Sequence, residues 1–161
     1  MDIFILRHGK AEKANSGGPD KERALAPEGR EGLERVLDRA RAAGARPSLI
    51  LSSTYRRALE TAQMAAEKLR YDGRIGHTKD LAPEASPWDL WEELRVNYEE
   101  DGILLATHEP LASSLAAFLL NSPALELDVK PGTLIALKCD HFNTQPHCVL
   151  KWMITPATAK D

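Results

Sequence analysis

Three short apolar runs of this chain each stop at polar residues of an unusual kind. Ile3–Leu6 runs into Arg7-His8-Gly9, Leu49–Leu51 into Ser52-Ser53 followed by Arg56-Arg57, and Ile103–Ala106 into Thr107-His108-Glu109-Pro110. If the runs are neighbouring strands, two histidines and two or three arginines converge on one edge of a sheet. A neutral imidazole nitrogen is a competent nucleophile toward phosphorus. Phosphoryl transfer asks the protein mainly for positioning and for positive charge around the equatorial oxygens. Arginine serves that purpose better than lysine, because its planar fork bonds two phosphoryl oxygens at once. Taken singly, His8 reads as a structural residue, Arg57 as a solvated helix residue and His108 as a cap for a helix opening at Pro110. Together they put cationic or cationisable groups at three strand ends of a net-acidic chain, which purely structural roles explain poorly.

The elements that must position these residues are legible from the hydrophobic pattern. The three runs are compact and nearly all apolar, as expected of strands buried on both faces of a parallel sheet. Helical spacing marks four amphipathic stretches between and after them: Leu33, Val36, Leu37, Ala40 and Ala43, with Pro27 near the start and Gly44 at the end; Ala58, Thr61, Ala62, Ala65 and Leu69; Trp88, Trp91, Leu94 and Tyr98; and Leu111, Leu115, Phe118 and Leu119, stopped by Asn121-Ser122-Pro123. Residues 133–138 and 148–154 read as two further strands, joined through residues 140–146 as an antiparallel hairpin. Residues 15–20, with Gly17-Gly18-Pro19, read as a flexible loop. Strands alternating with helices predict an α/β fold, a three-layer αβα sandwich whose mostly parallel sheet carries an antiparallel edge. In such sheets ligands bind outside the carboxyl ends of the strands, where the histidines and arginines fall.

The whole-chain numbers bound the function. At 161 residues the length fits a single domain, 1–161, and a hydrophobic share of 43% with 28% charged residues is that of a globular protein. Twenty-one Lys and Arg against 24 Asp and Glu give a net charge of -3, without the broad basic footprint of a nucleic-acid binder or of a protein held on an anionic membrane. The start, Met-Asp-Ile-Phe-Ile-Leu, lacks a basic n-region and a long apolar run, which predicts a cytoplasmic protein. Cys139 and Cys148, without CxxC spacing, are expected to be buried thiols. A metal at His8 and His108 is disfavoured because the neighbouring arginines would repel the cation. His77, His141 and His147 lack HxH or HxxxH spacing and read as structural or exposed. Neither a P-loop nor GxGxxG is present, so no nucleotide or other cofactor is expected.

These motifs together resemble the histidine phosphatase superfamily, the phosphoglycerate mutase-like proteins, and within it the small SixA-type phosphohistidine phosphatases. Arg7-His8-Gly9 is the hallmark. Residues 22–29, Glu-Arg-Ala-Leu-Ala-Pro-Glu-Gly, resemble the family's Arg-x-Leu-Thr-x-x-Gly segment; residues 52–62 resemble its Ser-x-x-x-Arg-Ala-x-x-Thr motif; and residues 107–110 resemble its second-histidine motif. The resemblance implies that His8 is the phosphorylated nucleophile and that Arg7, Arg57 and His108 bind the phosphoryl group. It adds Arg23 as a further phosphate ligand. Ser53 either donates a hydrogen bond to the pocket or holds its loop. Ala26 stands where the family commonly has Thr or Ser and cannot cap the following helix, and Glu60 replaces a usual Gln.

The family's alkyl-phosphate hydrolases use a Glu after the third strand as general acid, and Glu84 is its nearest positional match, within a poorly matching Leu81-Ala82-Pro83-Glu84. An alcohol leaving group, with a pKa of roughly 15, needs that proton, whereas imidazole, near ~6.5, leaves more readily. The weak acid motif therefore favours an N–P substrate. The expected activity is metal-independent hydrolysis through a phosphohistidine intermediate, acting on a phosphorylated histidine-containing protein. The alternatives are a small-molecule phosphomonoesterase, a phosphomutase or a non-catalytic phosphate-binding module.

Overall fold

The computed structural model describes residues 1–14 and 18–161. Six strands, β1 (Asp2–Arg7), β2 (Leu49–Ser52), β3 (Gly76–His77), β4 (Gly102–Thr107), β5 (Leu134–Cys139) and β6 (Cys148–Ile154), form one sheet in the order β3-β2-β4-β1-β5-β6. The first four strands in that order run parallel, while β5 and β6 add an antiparallel edge. β1 lies between β4 and β5, with Arg7 opposite Thr107, so the ends that carry His8 and His108 are adjacent.

Helices α1 (Pro27–Ala42), α2 (Arg56–Lys68), α3 (Pro87–Asn97) and α4 (Leu111–Leu119) cover both faces. Successive strand residues point to opposite faces, and β1 divides accordingly. Ile3 and Ile5 join Trp91, Leu94 and Leu115 of α3 and α4 in one core, whereas Phe4 and Leu6 join Leu33, Leu37 and Ala62 of α1 and α2 in the other. This is the expected three-layer αβα sandwich.

The expected helices differ from the observed ones only at their margins. α1 begins at Pro27 behind Ala26, whose side chain supplies no cap; proline at the first helical turn needs no donor of its own. Trp88, on the expected buried face of α3, is 41% exposed and meets the edge of Phe118 at 6.1 Å between centroids. Trp91, by contrast, is fully buried and donates its indole N–H to the Asn143 carbonyl at 2.8 Å, tying the β5–β6 loop to α3.

The expectation of two free thiols is overturned. Cys139 and Cys148 are directly opposite each other across β5 and β6, with Cα atoms 4.0 Å apart, and form a disulfide. Their spacing along the chain lacks a recognisable cysteine motif; strand register alone brings them together. Of the expected loop over 15–20, residues 15–17 lie outside the described residues, while Asp20 opens a short 3₁₀ turn, Asp20–Glu22.

Candidate active site

The ends of β1, β2 and β4 open into a cleft of about 930 Å³. Arg7, His8, Arg23, Arg57, His108 and Glu84 all line it; Ser53 does not. Each owes its place to a local device. The chain leaves β1 with the His8 N–H bonded to the Thr107 carbonyl at 2.9 Å, while the Gly132 N–H reaches the His8 carbonyl at 2.9 Å. Gly132 has φ +82°, a conformation that a side chain would strain. One residue beyond Gly9, Lys10 passes over α1 at Gly29. A Cβ on Gly29 would lie 2.1 Å from the Lys10 carbonyl oxygen, so glycine at 29 sets how close the loop after His8 sits to α1.

His8 is 8% exposed, with Nδ1 2.7 Å from the Gly9 carbonyl oxygen. Only a protonated Nδ1 can bond there, which leaves a lone pair on Nε2. Arg57 Nε donates to that Nε2 at 3.3 Å. Burial first, and then the positive charge of Arg57, Arg7 and Arg23, lowers the His8 pKa to about 4, against the opposing effect of the Gly9 hydrogen bond. Near neutral pH the ring is therefore neutral.

His108 is almost fully buried, with its ring centroid 5.0 Å from that of His8 and 4.7 Å from that of Tyr55. Ser53 Oγ accepts the Tyr55 N–H at 3.3 Å and shares a hydrogen bond with His108 Nε2 at 2.8 Å. Ser53 thus sits behind His108 and holds the ring and the turn into α2; of its two expected roles, the geometry matches the second. Nδ1 of His108 is buried without a partner. Burial, followed by His8 and Arg57, lowers the His108 pKa to about 3. The His108 side chain is not a cap for α4, the role it would have if taken singly. The Glu109 carboxylate accepts the Ser113 N–H at 2.7 Å instead.

The arginines are braced individually. Arg7 donates to the Val129 carbonyl at 2.6 Å, and its Nε is buried without a partner. Arg57 is 5% exposed and begins the buried face of α2; four residues later, Thr61 Oγ1 donates to the Arg57 carbonyl at 2.7 Å and accepts the Gly9 N–H at 3.2 Å. This threonine links the helix that carries Arg57 to the loop that carries His8. Glu60 is the anchor for the segment after Arg23. It accepts the Leu25 N–H at 3.1 Å and pairs with Arg30 and Arg56 at 2.7 and 2.8 Å. Arg23 donates to the Glu12 carbonyl at 3.0 Å.

Among the cleft residues that sequence reasoning did not single out, Asp20 is the one bonded to two of the expected phosphate ligands. The Asp20 carboxylate bonds Arg23 through Oδ1 at 2.8 Å and Arg57 through Oδ2 at 3.1 Å. An acidic residue three positions before Arg23 was the only available signal. Glu84 lines the cleft with Pro83 and Ser86, just beyond the turn that Thr107 holds by donating to the Leu81 carbonyl at 2.7 Å.

A neutral histidine whose unprotonated Nε2 meets an arginine at the carboxyl edge of a parallel sheet has the makeup of an oxyanion site in an α/β protein. The comparisons with known proteins name the group more narrowly. Residues 3–82 match the family model described as histidine phosphatase superfamily (branch 1). The chain belongs to the histidine phosphatase superfamily. No curated protein matches it by sequence. Among solved structures, the fold is similar to that of the protein histidine phosphatase SixA complexed with tungstate, at TM-score 0.84 and 21% identity over 99% of this chain and 100% of that one. A SixA-type structure from Agrobacterium tumefaciens gives 0.81 and 23% over 96% and 97%. A mycobacterial glucosyl-3-phosphoglycerate phosphatase gives 0.65 and 18% over 93% and 96%.

Proposed function

We propose that the chain is one domain, 1–161, that removes the phosphoryl group from phosphohistidine on a protein, through a phosphorylated His8. The observation that carries this reading is the state of His8: neutral, fixed by Gly9 through Nδ1, with its Nε2 lone pair directed at Arg57. In the first step the Arg57 N–H turns from Nε2 to a phosphoryl oxygen, and the released Nε2 lone pair attacks phosphorus in line. The N–P bond to His8 forms as the bond to the donor imidazole breaks, and that ring departs with the bonding pair and takes a proton from water. Arg7, Arg23 and Arg57 receive the phosphoryl oxygens, supplying positive charge where it is needed in the transition state. An acceptor oxygen at His108 would satisfy its orphaned Nδ1, and buried polar groups are rarely left unpaired. In the second step water attacks phospho-His8, releasing phosphate and restoring the neutral ring.

Support for an N–P substrate is the chemistry of the leaving group together with the absence of a clear acid motif around Glu84. The runner-up, a small-molecule phosphomonoesterase, draws on Glu84, which lines the cleft at the position expected of the family's general acid. The deciding experiment compares phosphate release from a phosphohistidine-bearing carrier protein with release from a panel of alkyl and sugar phosphates, for wild type and Glu84→Gln. Preference for the carrier, undiminished in the variant, is expected. Preference for sugar phosphates that is lost in Glu84→Gln would make Glu84 the general acid and replace this reading.

Among the described residues, no helix is long and apolar enough to cross a membrane. A cytoplasmic setting, drawn from the sequence, is opposed by the Cys139–Cys148 pair, since disulfides persist mainly where thiols are not kept reduced. Thiol labelling in intact cells distinguishes the two.

A further inference from the structure

The phosphoryl-binding arginines already hold an anion that belongs to the chain itself. Asp20 offers one carboxylate oxygen to Arg23 and the other to Arg57, and its backbone carbonyl accepts a further Arg57 N–H at 2.9 Å. Two oxygens of one anion shared between two guanidinium groups is the arrangement that a phosphoryl group would adopt there. Asp20 lines the same cleft as His8. The turn that carries it, Asp20–Glu22, buries none of its residues, and the Asp20 side chain is 57% exposed. Arg57, by comparison, has a side chain only 6% exposed, so its charge needs a counter-ion whether or not a ligand is present.

We infer that Asp20 is an intramolecular competitor of the phosphoryl group: its carboxylate occupies Arg23 and Arg57 in the free protein and is displaced when a phosphoryl group binds. The inference rests on the phosphatase reading above. Its consequence is weaker holding of every phosphoryl ligand by the same factor, free orthophosphate included. A substrate makes up the loss through further contacts along the cleft, whereas orthophosphate brings none and departs more readily as product. Burial alone would raise the Asp20 pKa, but hydrogen bonds from Arg23 and Arg57 outweigh it and hold the carboxyl below its ordinary range, so the competitor is charged whenever the enzyme works near neutral pH.

A positioning role makes the opposite prediction. If Asp20 merely orients the two arginines for the ligand, its removal weakens anion binding; if it competes, removal strengthens it. The test is direct binding of inorganic phosphate and of vanadate, by calorimetry, to wild type, Asp20→Asn and Asp20→Ala. Both variants should bind phosphate about two- to fivefold more tightly, the factor corresponding to one exposed ion pair. They should also show product inhibition at correspondingly lower phosphate concentration. Unchanged or weaker binding overturns the inference. A structure of the wild type with vanadate gives an answer even if the variants fold poorly. The Asp20 carboxylate should have left both arginines, and a carboxylate still bonded to both beside bound vanadate contradicts the proposal. A wild type that binds neither oxyanion removes the phosphatase reading itself, a result distinct from either of these.

Discussion

Acidification should destabilise this protein through His8 in a defined window, and the size of the effect follows from its burial. In the unfolded chain the imidazole titrates near its ordinary 6.5, whereas in the native cleft it titrates at about 4. Between those values the unfolded state binds a proton that the native state refuses, so stability falls as pH falls through the window and levels off below pH 4. At ~1.4 kcal/mol per pH unit the full effect is ~3 kcal/mol, of which ~2.5 kcal/mol is spent between pH 7 and pH 4.5. Denaturant unfolding of wild type and His8→Gln across that range isolates this contribution, because glutamine does not titrate and most other groups cancel in the difference. His108 does not cancel fully, since part of its own depression comes from His8, and this adds to the difference in the same direction. Wild type should lose ~2–3 kcal/mol more than the variant. Parallel stability curves would show that His8 is not held neutral by the fold, and the argument for its lone pair would fail.

Two substitutions probe the scaffold around that ring. Arg57→Lys keeps a charge but loses both the Nε contact to His8 and the fork that reaches Asp20. Steady-state kinetics should show kcat/KM reduced ~10²-fold or more, with the fold intact by circular dichroism; near wild-type kinetics would count against the arginine geometry. Gly29→Ala places a methyl group against the Lys10 backbone, two residues from His8. It should cost ~1–3 kcal/mol in thermal or denaturant unfolding and lower kcat together with stability; a neutral substitution would mean that the loop after His8 is not set by this contact.

The parts of the fold visible in the sequence are those with a strong periodic signal. β1, β2 and β4 are uninterrupted apolar runs because both of their faces are covered, and α1 shows a helical stripe because only one of its faces is. β3 has only Gly76 and His77 and therefore no pattern to read. Trp88 fits the helical stripe of α3 but falls at the rim of its buried face, where packing rather than spacing decides exposure. The disulfide depends on which residues β5 and β6 place opposite each other, and that register is a tertiary property. In the site, His8, Arg57 and His108 were readable because strand ends converge in any parallel sheet. Arg23 lies on a turn away from the strand ends, and only resemblance to a family singled it out. Asp20 escaped notice because a lone acidic residue in a loop is unremarkable until the arginines around it are seen. Ser53 was visible as a polar residue at a strand end, but its position behind His108 depends on side-chain direction.

The central claim is that His8 itself carries the phosphoryl group during turnover. Rapid-quench mass spectrometry of the wild type, mixed with a phosphohistidine-bearing carrier and quenched at alkaline pH, should find one acid-labile phosphoryl group, on the peptide containing His8. His8→Ala should show neither that adduct nor release of phosphate. Phosphate release by His8→Ala at the wild-type rate, or a phosphoryl group located on His108 instead, would contradict the account.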